Sequence, residues 1–465
     1  MTAAAAGGHS RSNWRGIVGL SGPILISQLA GIGTHVADTL IAGRHATADL
    51  AAVAVGGGLF ISVMMALTGI LYAAAPIIAH HVGARRTDDI APAFQQAVWL
   101  ALFLSLPGVL LLAMPDPLLA LARLDPVVEH KTRDYLMALA FALPGTLLFR
   151  ACQALMNGIG RPRPVMVIML ACLAVHVPLA WALTTGAFGE PMGALGCGLS
   201  TLLVNWLALG GAAVWFARSS ALRPLRLFAA WQGPRAWAQR EMLRLGGPMG
   251  VSNFVEITSF TLVALFVARL GADAVAGHRV IANLNGVCFM LPLALGSGTL
   301  VRVGQAAGGL DWLRARHTAL SGIALAGGLS ILVTLALWLT RESILAFYSS
   351  DAAVLTIART LLPYAVLFVV VDALHTVASF SLRGYKVTVA PMLVHTFCFW
   401  GLGLTSGYVL AFRGVPEAGV ALIADPMGAA GFWLATLLST ALAGMLIGLI
   451  LMKVFRSRTV TRTAN

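Results

Sequence analysis

Charged side chains are scarce in this sequence: Asp, Glu, Lys and Arg make up 11% of the 465 residues, whereas hydrophobic residues make up 58%. Soluble domains contain about a quarter charged residues. The scarcity of charge therefore excludes a soluble globular protein and predicts a polytopic membrane protein. The net charge of +13 does not indicate nucleic-acid binding, because the basic residues lie in short loops between apolar runs.

The sequence also lacks the short motifs of nucleotide-driven pumps and of common hydrolases. It contains no Gly-x-x-x-x-Gly-Lys-Ser/Thr loop, no His-Glu-x-x-His and no Gly-x-Ser-x-Gly. Their absence disfavours an ATP-driven pump and a membrane-embedded hydrolase. We therefore expect a protein that is not an enzyme, that needs no cofactor and that draws its energy from an ion gradient.

Cysteine is rare as well, and the five cysteines lie inside apolar segments. An odd number of cysteines in such segments predicts small buried hydrophobic residues, not disulfides. They are Cys152, Cys172, Cys197, Cys288 and Cys398.

What is abundant is the long apolar run, which needs about 20 residues to cross a bilayer. Twelve such runs predict twelve transmembrane helices, and several exceed the length of a straight crossing, so tilt or extension is expected. The predicted spans are 16–41, 50–79, 92–114, 134–158, 164–186, 193–217, 243–268, 274–306, 315–340, 353–382, 388–412 and 427–452.

Charge in the loops predicts the orientation. One set of loops is rich in basic residues such as Arg85, Arg161 and Arg383, whereas the alternate loops hold acids such as Asp49 and Asp351. The positive-inside rule then places both termini in the cytoplasm. The predicted parts are tails at 1–14 and 454–465, an N-lobe at 15–217, a cytoplasmic linker at 218–242 and a C-lobe at 243–453.

An internal repeat divides the chain into two halves. Leu20–Leu29 matches Leu245–Phe254 at an offset of 225 residues, and Gly193–Leu203 matches Gly428–Leu438 at an offset of 235. Six spans per copy make the copies parallel in the membrane. The predicted fold is therefore an all-α integral membrane protein with twelve transmembrane helices in two pseudo-symmetric six-helix lobes around a central cavity.

Three acids lie within predicted spans, where ionisable groups are costly and usually functional. Glu256 falls roughly 20 Å into its helix from the cytoplasmic end, at about 1.5 Å per residue. Asp372 lies near the middle of its span, and Asp38 lies in the outer part of the first span. Each could hold a cation, bind a proton or be a structural group satisfied by polar neighbours.

Two of these acids, Glu256 and Asp372, belong to the second lobe, so we expect the coupling-ion site there. Two converging carboxylates in a low dielectric cannot both stay ionised without a cation or a shared proton. His35 and His375 lie three residues from Asp38 and Asp372, on the same helix faces, where they could relay protons or merely face a water-filled cavity.

Several short stretches are specific in combination, although none is specific alone. They are Gly22-Pro23 with Gln28, Val36-Ala37-Asp38-Thr39, Asp49–Ala54, Gly160–Pro164, Gly247-Pro248 with Phe254-Val255-Glu256, Gly296–Gly304 and Leu382–Thr388. From about Trp14 to Phe455, the chain resembles the multidrug and toxic compound extrusion (MATE) family, in its NorM-like branch.

The resemblance implies a secondary active multidrug antiporter that exports organic cations in exchange for Na⁺ or H⁺. It implies that Glu256 and Asp372 are the cation-coupling acids, with Na⁺ between them if Na⁺ is the ion, and that Asp38 binds substrate or a proton. Some members have Tyr at the position of Phe289, which puts a hydroxyl contact to Na⁺ in doubt here. Further candidates for cavity contacts are Gln28, His35, Asn253, Phe289, Phe368 and His375.

The expected partners are organic cationic drugs or toxic compounds and the lipid bilayer, with no nucleic acid, and the protein is expected to be a monomer. A flippase or exporter of a lipid-linked or dedicated metabolite on the same two-lobe plan is the alternative. A membrane-embedded enzyme or a receptor is a remote alternative.

Overall fold

The structure is a computed structural model that describes residues 3–117, 119, 124–187, 189–220, 222–415 and 424–460, with side chains between residues 14 and 458. Its described part contains twelve helices that are long and apolar enough to cross a membrane. They coincide with the twelve predicted spans, and the predicted all-α membrane fold is confirmed. Residues 1–2 and 461–465 of the predicted tails lie outside the described residues.

The helices of the first six spans include one broken span, in which α2 and α3 follow each other closely. They are α1 (Ala3–His45), α2 (Thr47–Leu71), α3 (Ala74–Gly83), α4 (Ile90–Ala113), α5 (Pro126–Gly158), α6 (Arg163–Thr185) and α7 (Ala194–Arg218). Short 3₁₀ turns cover Thr87–Asp89 and Arg223–Leu225.

The second six spans include one in which α13 and α14 are joined by a π-helix, Thr396–Leu404. The helices are α8 (Ala236–Val267), α9 (Ala272–Gly308), α10 (Trp312–Leu339), α11 (Arg341–Tyr348), α12 (Ala352–Gly384), α13 (Val389–His395), α14 (Thr405–Phe412) and α15 (Ala429–Val460). The short α11 lies outside the spans, and a 3₁₀ turn covers Ala268–Leu270.

At α5, a polar cap, and not the edge of the apolar run, marks where the helix begins. Helix α5 begins at Pro126, eight residues before the predicted span at 134, because Asp125 accepts a hydrogen bond from the Val127 amide at 2.9 Å. Aspartate before a proline is a favoured helix start. Apolar runs therefore give the membrane-embedded part of each helix and miss its polar ends.

The chain forms two compact units, one of residues 22–250 and one of residues 1–21 with 251–465. The first has a continuous apolar core around Leu136, Leu143 and Leu155. In the second, Ile17 at the start of α1 packs with Leu295 and Val377. The units therefore change within α1 and α8, near the repeated Gly-Pro pairs, whereas the predicted lobe boundaries at 15 and 243 remain a prediction.

Two buried glutamines of α4 form hydrogen bonds with the segment at 218–242. Gln95 donates to the Leu227 carbonyl at 2.8 Å, and Gln96 accepts from the Arg235 amide at 2.8 Å. An amide side chain can donate and accept hydrogen bonds at once, so each glutamine can pair with backbone groups of this segment that have no partner within a helix. This segment is thus an ordered part of the 22–250 unit.

The internal repeat is also visible in the backbone. Left-handed residues end corresponding helices at Arg85 and Leu310, each with φ of 57°, an offset of 225 residues. Gly193 and Gly428, with φ of 54° and 59°, begin α7 and α15 at the offset of 235. A left-handed conformation is uncommon for residues other than glycine, so its recurrence at the repeat offset supports a duplicated unit.

Asp49 lies within the first turn of α2 and is fully buried, so its assignment to an outer loop is wrong. Its carboxylate accepts from Lys131 Nζ at 2.6 Å and from the Ala194 amide at 2.9 Å, and it contacts His45 Nδ1 at 2.6 Å. A Cβ on Gly193 would lie 2.5 Å from the carboxylate. Asp49 therefore ties α1, α2, α5 and α7 together.

Replacing Asp49 with Ala should lower the free energy of unfolding by roughly 2–3 kcal/mol, because several donors to one buried carboxylate lose their acceptor. Thermal unfolding of the purified protein in detergent measures the effect. The matched control is Asp273→Ala, in the first turn of α9, where the side chain is exposed. Equal melting temperatures for the two variants would contradict the structural role of Asp49.

Helix α8 approaches α2 so closely that only glycine fits at one position. A Cβ on Gly246 would lie 2.0 Å from the Ile70 carbonyl oxygen, whereas a Cβ on the neighbouring Gly247 would meet nothing within 4 Å. Backbone atoms cannot move aside as a flexible side chain can. This contact fixes the N-terminal half of α8 within the 22–250 unit.

Gly246→Ala should therefore destabilise the protein by about 1–3 kcal/mol, the range for overpacking a well-packed site. Gly247→Ala is the matched control and should raise stability slightly, because alanine favours a helix by about 1 kcal/mol over glycine. Melting temperatures in detergent compare the two directly. A Gly246→Ala protein as stable as Gly247→Ala would show that the helices do not meet at this point.

Candidate functional site

The two acids of the second half, Glu256 on α8 and Asp372 on α12, line the same small cavity in the 251–465 part of the chain. Asp372 is 7% exposed and Glu256 is half-buried. The cavity offers about 20 Å³ for the centre of a water-sized particle. That is room for a water molecule or a bare ion, whereas sites for drug-sized ligands measure about 300–1,000 Å³.

Hydroxyl groups and aromatic rings complete the cavity wall. The hydroxyl-bearing residues are Ser259, Thr436, Ser439 and Thr440, and the rings belong to Phe260, Phe368 and Phe399. Ser259 donates to the Val255 carbonyl at 2.7 Å, so its hydroxyl oxygen keeps a free lone pair. The wall thus combines oxygen acceptors with apolar surface.

The π-helix between α13 and α14 shapes one side of the cavity. It carries Phe399, Gly403 and Leu404 to the wall. A Cβ on Gly403 would lie 2.9 Å from Ser439 Oγ, so the glycine admits α15 at this point. Such helix widenings occur often at functional sites, and no periodic pattern in the sequence reveals them.

His375 connects the cavity to a second buried imidazole. Its Nδ1 lies 3.7 Å from Asp372 Oδ1, and its Nε2 lies 2.9 Å from Nε2 of His395. His395 stacks on Phe399 with centroids 5.3 Å apart. One of the two Nε2 atoms must carry the hydrogen and the other must accept it. The sequence analysis did not identify His395, because a single histidine 20 residues after His375 carries no pattern that indicates their contact.

Arg383 was expected in a cytoplasmic loop, but it lies inside α12 and is 4% exposed. The helix continues to Gly384, beyond the apolar run, and this extension brings the guanidinium inside the protein. Arg383 Nη2 donates to Asn253 Oδ1 at 3.2 Å, and the guanidinium lies over Phe380 at 4.5 Å. It is within electrostatic range of Glu256, so a positive charge accompanies the acids of this site.

Asp38 on α1 belongs to the 22–250 unit, where it is 2% exposed. Its Oδ1 lies 2.9 Å from His176 Nε2, and its Oδ2 accepts from Thr201 at 3.3 Å. His35, one turn before Asp38, is within electrostatic range of both groups and is half-buried. His176 lies on α6 and Thr201 on α7, and no motif in the sequence connects either of them with Asp38.

Of the three remaining candidates, one lines the cavity of Glu256 and Asp372. Phe368 lines the Glu256 cavity, and its ring meets Phe260 edge to face at 6.0 Å. Phe289 is half-buried on α9 and is not among the residues that line this cavity. Gln28, on α1, is half-buried, and its Oε1 has no hydrogen-bond partner among the described residues.

The described residues hold no group of three or more His, Cys, Asp or Glu side chains that could bind a metal ion. A cation at Glu256 and Asp372 would therefore be held by two carboxylates and neighbouring hydroxyls. Oxygen atoms suit a hard cation better than a transition metal.

Comparison with known proteins assigns the chain to a family. A sequence model of the MatE family matches residues 23–182 and 248–409. A probable multidrug resistance protein NorM of Aromatoleum aromaticum is 50% identical over 435 residues, covering 93% of each chain. A second relative of that name, from Neisseria meningitidis, is 35% identical and covers 92% of each chain.

Solved structures agree on the fold. A eukaryotic MATE transporter, AtDTX14, superposes with a TM-score of 0.83 at 19% identity and covers 97% of this chain and 99% of its own. An outward-facing multidrug resistance MATE family transporter gives a TM-score of 0.86 at 16% identity over 96% and 97% of the chains. The chain therefore belongs to the MatE family of membrane transporters, in its NorM-like branch, and is not an enzyme.

Proposed function

We propose that this protein is a secondary active antiporter that exports organic cations in exchange for Na⁺ or H⁺ by alternating access. The observation that carries the proposal is the cavity shared by Glu256 and Asp372. Two carboxylates on one water-excluding wall repel each other unless a cation or a proton lies between them. The cavity therefore favours occupation by an ion whenever it is closed to water.

The size of the cavity supports an ion as its occupant. About 20 Å³ accommodates Na⁺ or a hydrated proton but no flat organic ring. The organic substrate then binds elsewhere and interacts with the same negative charge through space. The ion and the substrate compete for this charge, so entry of the ion from outside promotes release of the substrate.

The names of the relatives support drugs as substrates, since several are called multidrug resistance proteins. We place the protein in the bacterial inner membrane with both termini in the cytoplasm, because the connections between helices that hold Arg85 and Arg161 are basic and the positive-inside rule assigns such connections to the cytoplasm. The partners are organic cationic compounds and the surrounding lipid, and the working unit is a monomer.

Neutralising either acid of the cavity should abolish exchange. Glu256→Gln and Asp372→Asn keep the size of the side chain and remove its charge, so we expect ethidium efflux from cells to fall about tenfold or more, the equivalent of about 1.4 kcal/mol of lost interaction. Membrane expression, measured by immunoblot, should not change.

The control is Glu342→Gln, which removes an exposed acid on α11 that pairs with Arg359 at 2.8 Å. Efflux by this variant should equal that of the unaltered protein. Full efflux by both cavity variants would overturn the mechanism.

Imposed gradients identify the coupling ion. In inside-out vesicles the lumen corresponds to the outside of the cell, so a lumen rich in Na⁺ or acidic relative to the medium should drive accumulation of the dye. We expect one of the two gradients, applied separately, to do so, and Glu256→Gln vesicles to fail under both. Accumulation that needs ATP and ignores both gradients would exclude a secondary antiporter.

A further inference from the structure

The segment at 218–242 presents aromatic rings on its surface. Phe228 is 57% and Trp231 is 46% exposed, and their rings stack with centroids 6.2 Å apart. On the neighbouring α4, the rings of Trp99 and Phe103 stack with centroids 6.1 Å apart, and Phe103 is 45% exposed. We call these four rings the aromatic patch. Contiguous exposed apolar groups mark a surface for a partner or a membrane.

Hydrogen bonds from α4 hold the two ring pairs of the aromatic patch together. Trp99 Nε1 donates to the Gln232 carbonyl at 2.9 Å, and the Gln232 amide donates to Gln95 Oε1 at 3.0 Å. Phe94 of α4 also meets the Phe228 ring edge to face, with centroids 6.4 Å apart. The aromatic patch is therefore an ordered surface of the same compact unit as α4.

The aromatic patch continues an apolar face of α4. Phe103, Leu106 and Leu110 lie three and four residues apart, so they share one face of the helix, and the two leucines are 69% and 61% exposed. This helix is long and apolar enough to cross a membrane, so a face of this kind meets lipid chains. Trp99 lies one turn nearer the start of α4. Tryptophan is enriched where lipid chains give way to headgroups, so the aromatic patch lies at that boundary.

Positive charge surrounds the aromatic patch. The chain from 218 to 244 contains a single acid, Glu241, and several exposed arginines. The arginines are Arg218, Arg223, Arg226, Arg235, Arg240 and Arg244. Arginine presents N–H donors in a planar fork that matches the oxygens of a phosphate. The charge of this surface is therefore complementary to an anion.

A neighbouring turn brings acids to this surface, but it brings no net charge. The 3₁₀ turn Arg223–Leu225 packs against the turn Thr87–Asp89, whose last two residues are acids. Arg85 and Arg86 directly precede that turn and offset its negative charge. An excess of positive charge therefore remains beside the exposed rings.

Arg226 and Arg235 flank the aromatic residues of the segment, and α4 fixes the backbone beside both. Gln95 donates at 2.8 Å to the carbonyl of Leu227, which follows Arg226. Gln96 accepts at 2.8 Å from the Arg235 amide. Both arginine side chains are exposed, although Arg226 has φ of 44°, a left-handed conformation that is unfavourable for residues other than glycine. The fold thus exposes one arginine before the ring pair and one after it.

We propose that this surface binds an acidic phospholipid. The acyl chains lie along the aromatic patch and the exposed face of α4, and the phosphate pairs with Arg226 and Arg235. A guanidinium binds phosphate through two parallel hydrogen bonds, and basic side chains beside a membrane attract anionic lipid. A zwitterionic headgroup carries its own cation and gains less from the arginines. Such a site needs neither the substrate nor the coupling ion of the antiport function proposed above.

Lipid binding to the detergent-purified protein tests this proposal. Native mass spectrometry measures the affinity for dioctanoyl phosphatidylglycerol and, separately, for dioctanoyl phosphatidylcholine, which has the same chains and a zwitterionic headgroup. We expect the acidic lipid to bind about tenfold more tightly and its affinity to fall as ammonium acetate rises, because salt screens charge. Equal affinities for the two lipids, or an affinity for the acidic lipid that ignores salt, would overturn the proposal.

Removing two charges tests the arginines themselves. Arg226→Gln combined with Arg235→Gln should weaken binding of phosphatidylglycerol about tenfold or more and binding of phosphatidylcholine much less. The matched control is Arg269→Gln combined with Arg413→Gln, which removes two exposed arginines from the other compact unit. Its affinity for phosphatidylglycerol should equal that of the unaltered protein. Equal losses in the two double variants, or no loss in the first, would contradict the proposed site.

Quenching of tryptophan fluorescence locates the lipid chains without any change of charge, so it serves even if the glutamine variant fails to fold. Phosphatidylglycerol with brominated chains should quench a larger fraction of the emission of the unaltered protein than of Trp231→Phe. The phenylalanine keeps an aromatic ring but removes one emitter beside the lipid. Equal fractional quenching of the two proteins would place the lipid elsewhere and overturn the proposal.

Inorganic phosphate is the probe that distinguishes a lipid site from a site for a free anion. Added at the same ionic strength as ammonium acetate, it should displace no more phosphatidylglycerol than the acetate does, because it gains nothing from the rings. Greater displacement by phosphate would assign the site to the free anion and overturn the lipid as its ligand.

Discussion

Removing a carboxylate from water is the constraint on which the rest of this structure depends. Such a group needs a cation, a proton or several hydrogen-bond donors. Asp49 has hydrogen-bond donors within the protein, namely Lys131 at 2.6 Å and the Ala194 amide at 2.9 Å. Asp38 has a titratable partner in His176. Glu256 and Asp372 instead face a space of about 20 Å³, which an ion would fill in the antiport function proposed above.

The sequence predicts the helices well and their contacts poorly, for a physical reason. Each span must be apolar to cross the bilayer, whatever its neighbours are. All twelve spans could therefore be predicted from the hydrophobic runs alone. The unequal distribution of acids also predicted that the coupling-ion site lies in the second half of the chain. That Glu256 and Asp372 share a cavity, or that His176 meets Asp38 across 138 residues, depends on how helices pack. A single histidine in an apolar run carries no sign of its partner.

Errors arose where helices continue past the apolar runs. Arg383 reads as a loop residue because basic residues follow most spans, but α12 extends to Gly384 and carries Arg383 into the protein. Asp49 reads as a loop acid because the predicted spans end at 41 and begin again at 50, yet it belongs to the first turn of α2. Charge near a span end therefore predicts orientation, whereas burial depends on caps and on neighbouring helices.

In the antiport function proposed above, an ion in the cavity of Glu256 and Asp372 would affect the binding of an organic cation without touching it, because charge acts at a distance. Two unit charges about 8 Å apart interact by about 2 kcal/mol at an effective dielectric constant of about 20. An organic cation that gains this attraction when the ion leaves binds about 30-fold more tightly, within the usual range of allosteric coupling energies. Contact between ion and substrate is therefore unnecessary. What matters is that the carboxylates stay out of water, since solvent would screen the interaction toward about 0.5 kcal/mol. The rings of Phe260, Phe368 and Phe399 supply apolar surface beside Glu256 and Asp372 in the same cavity.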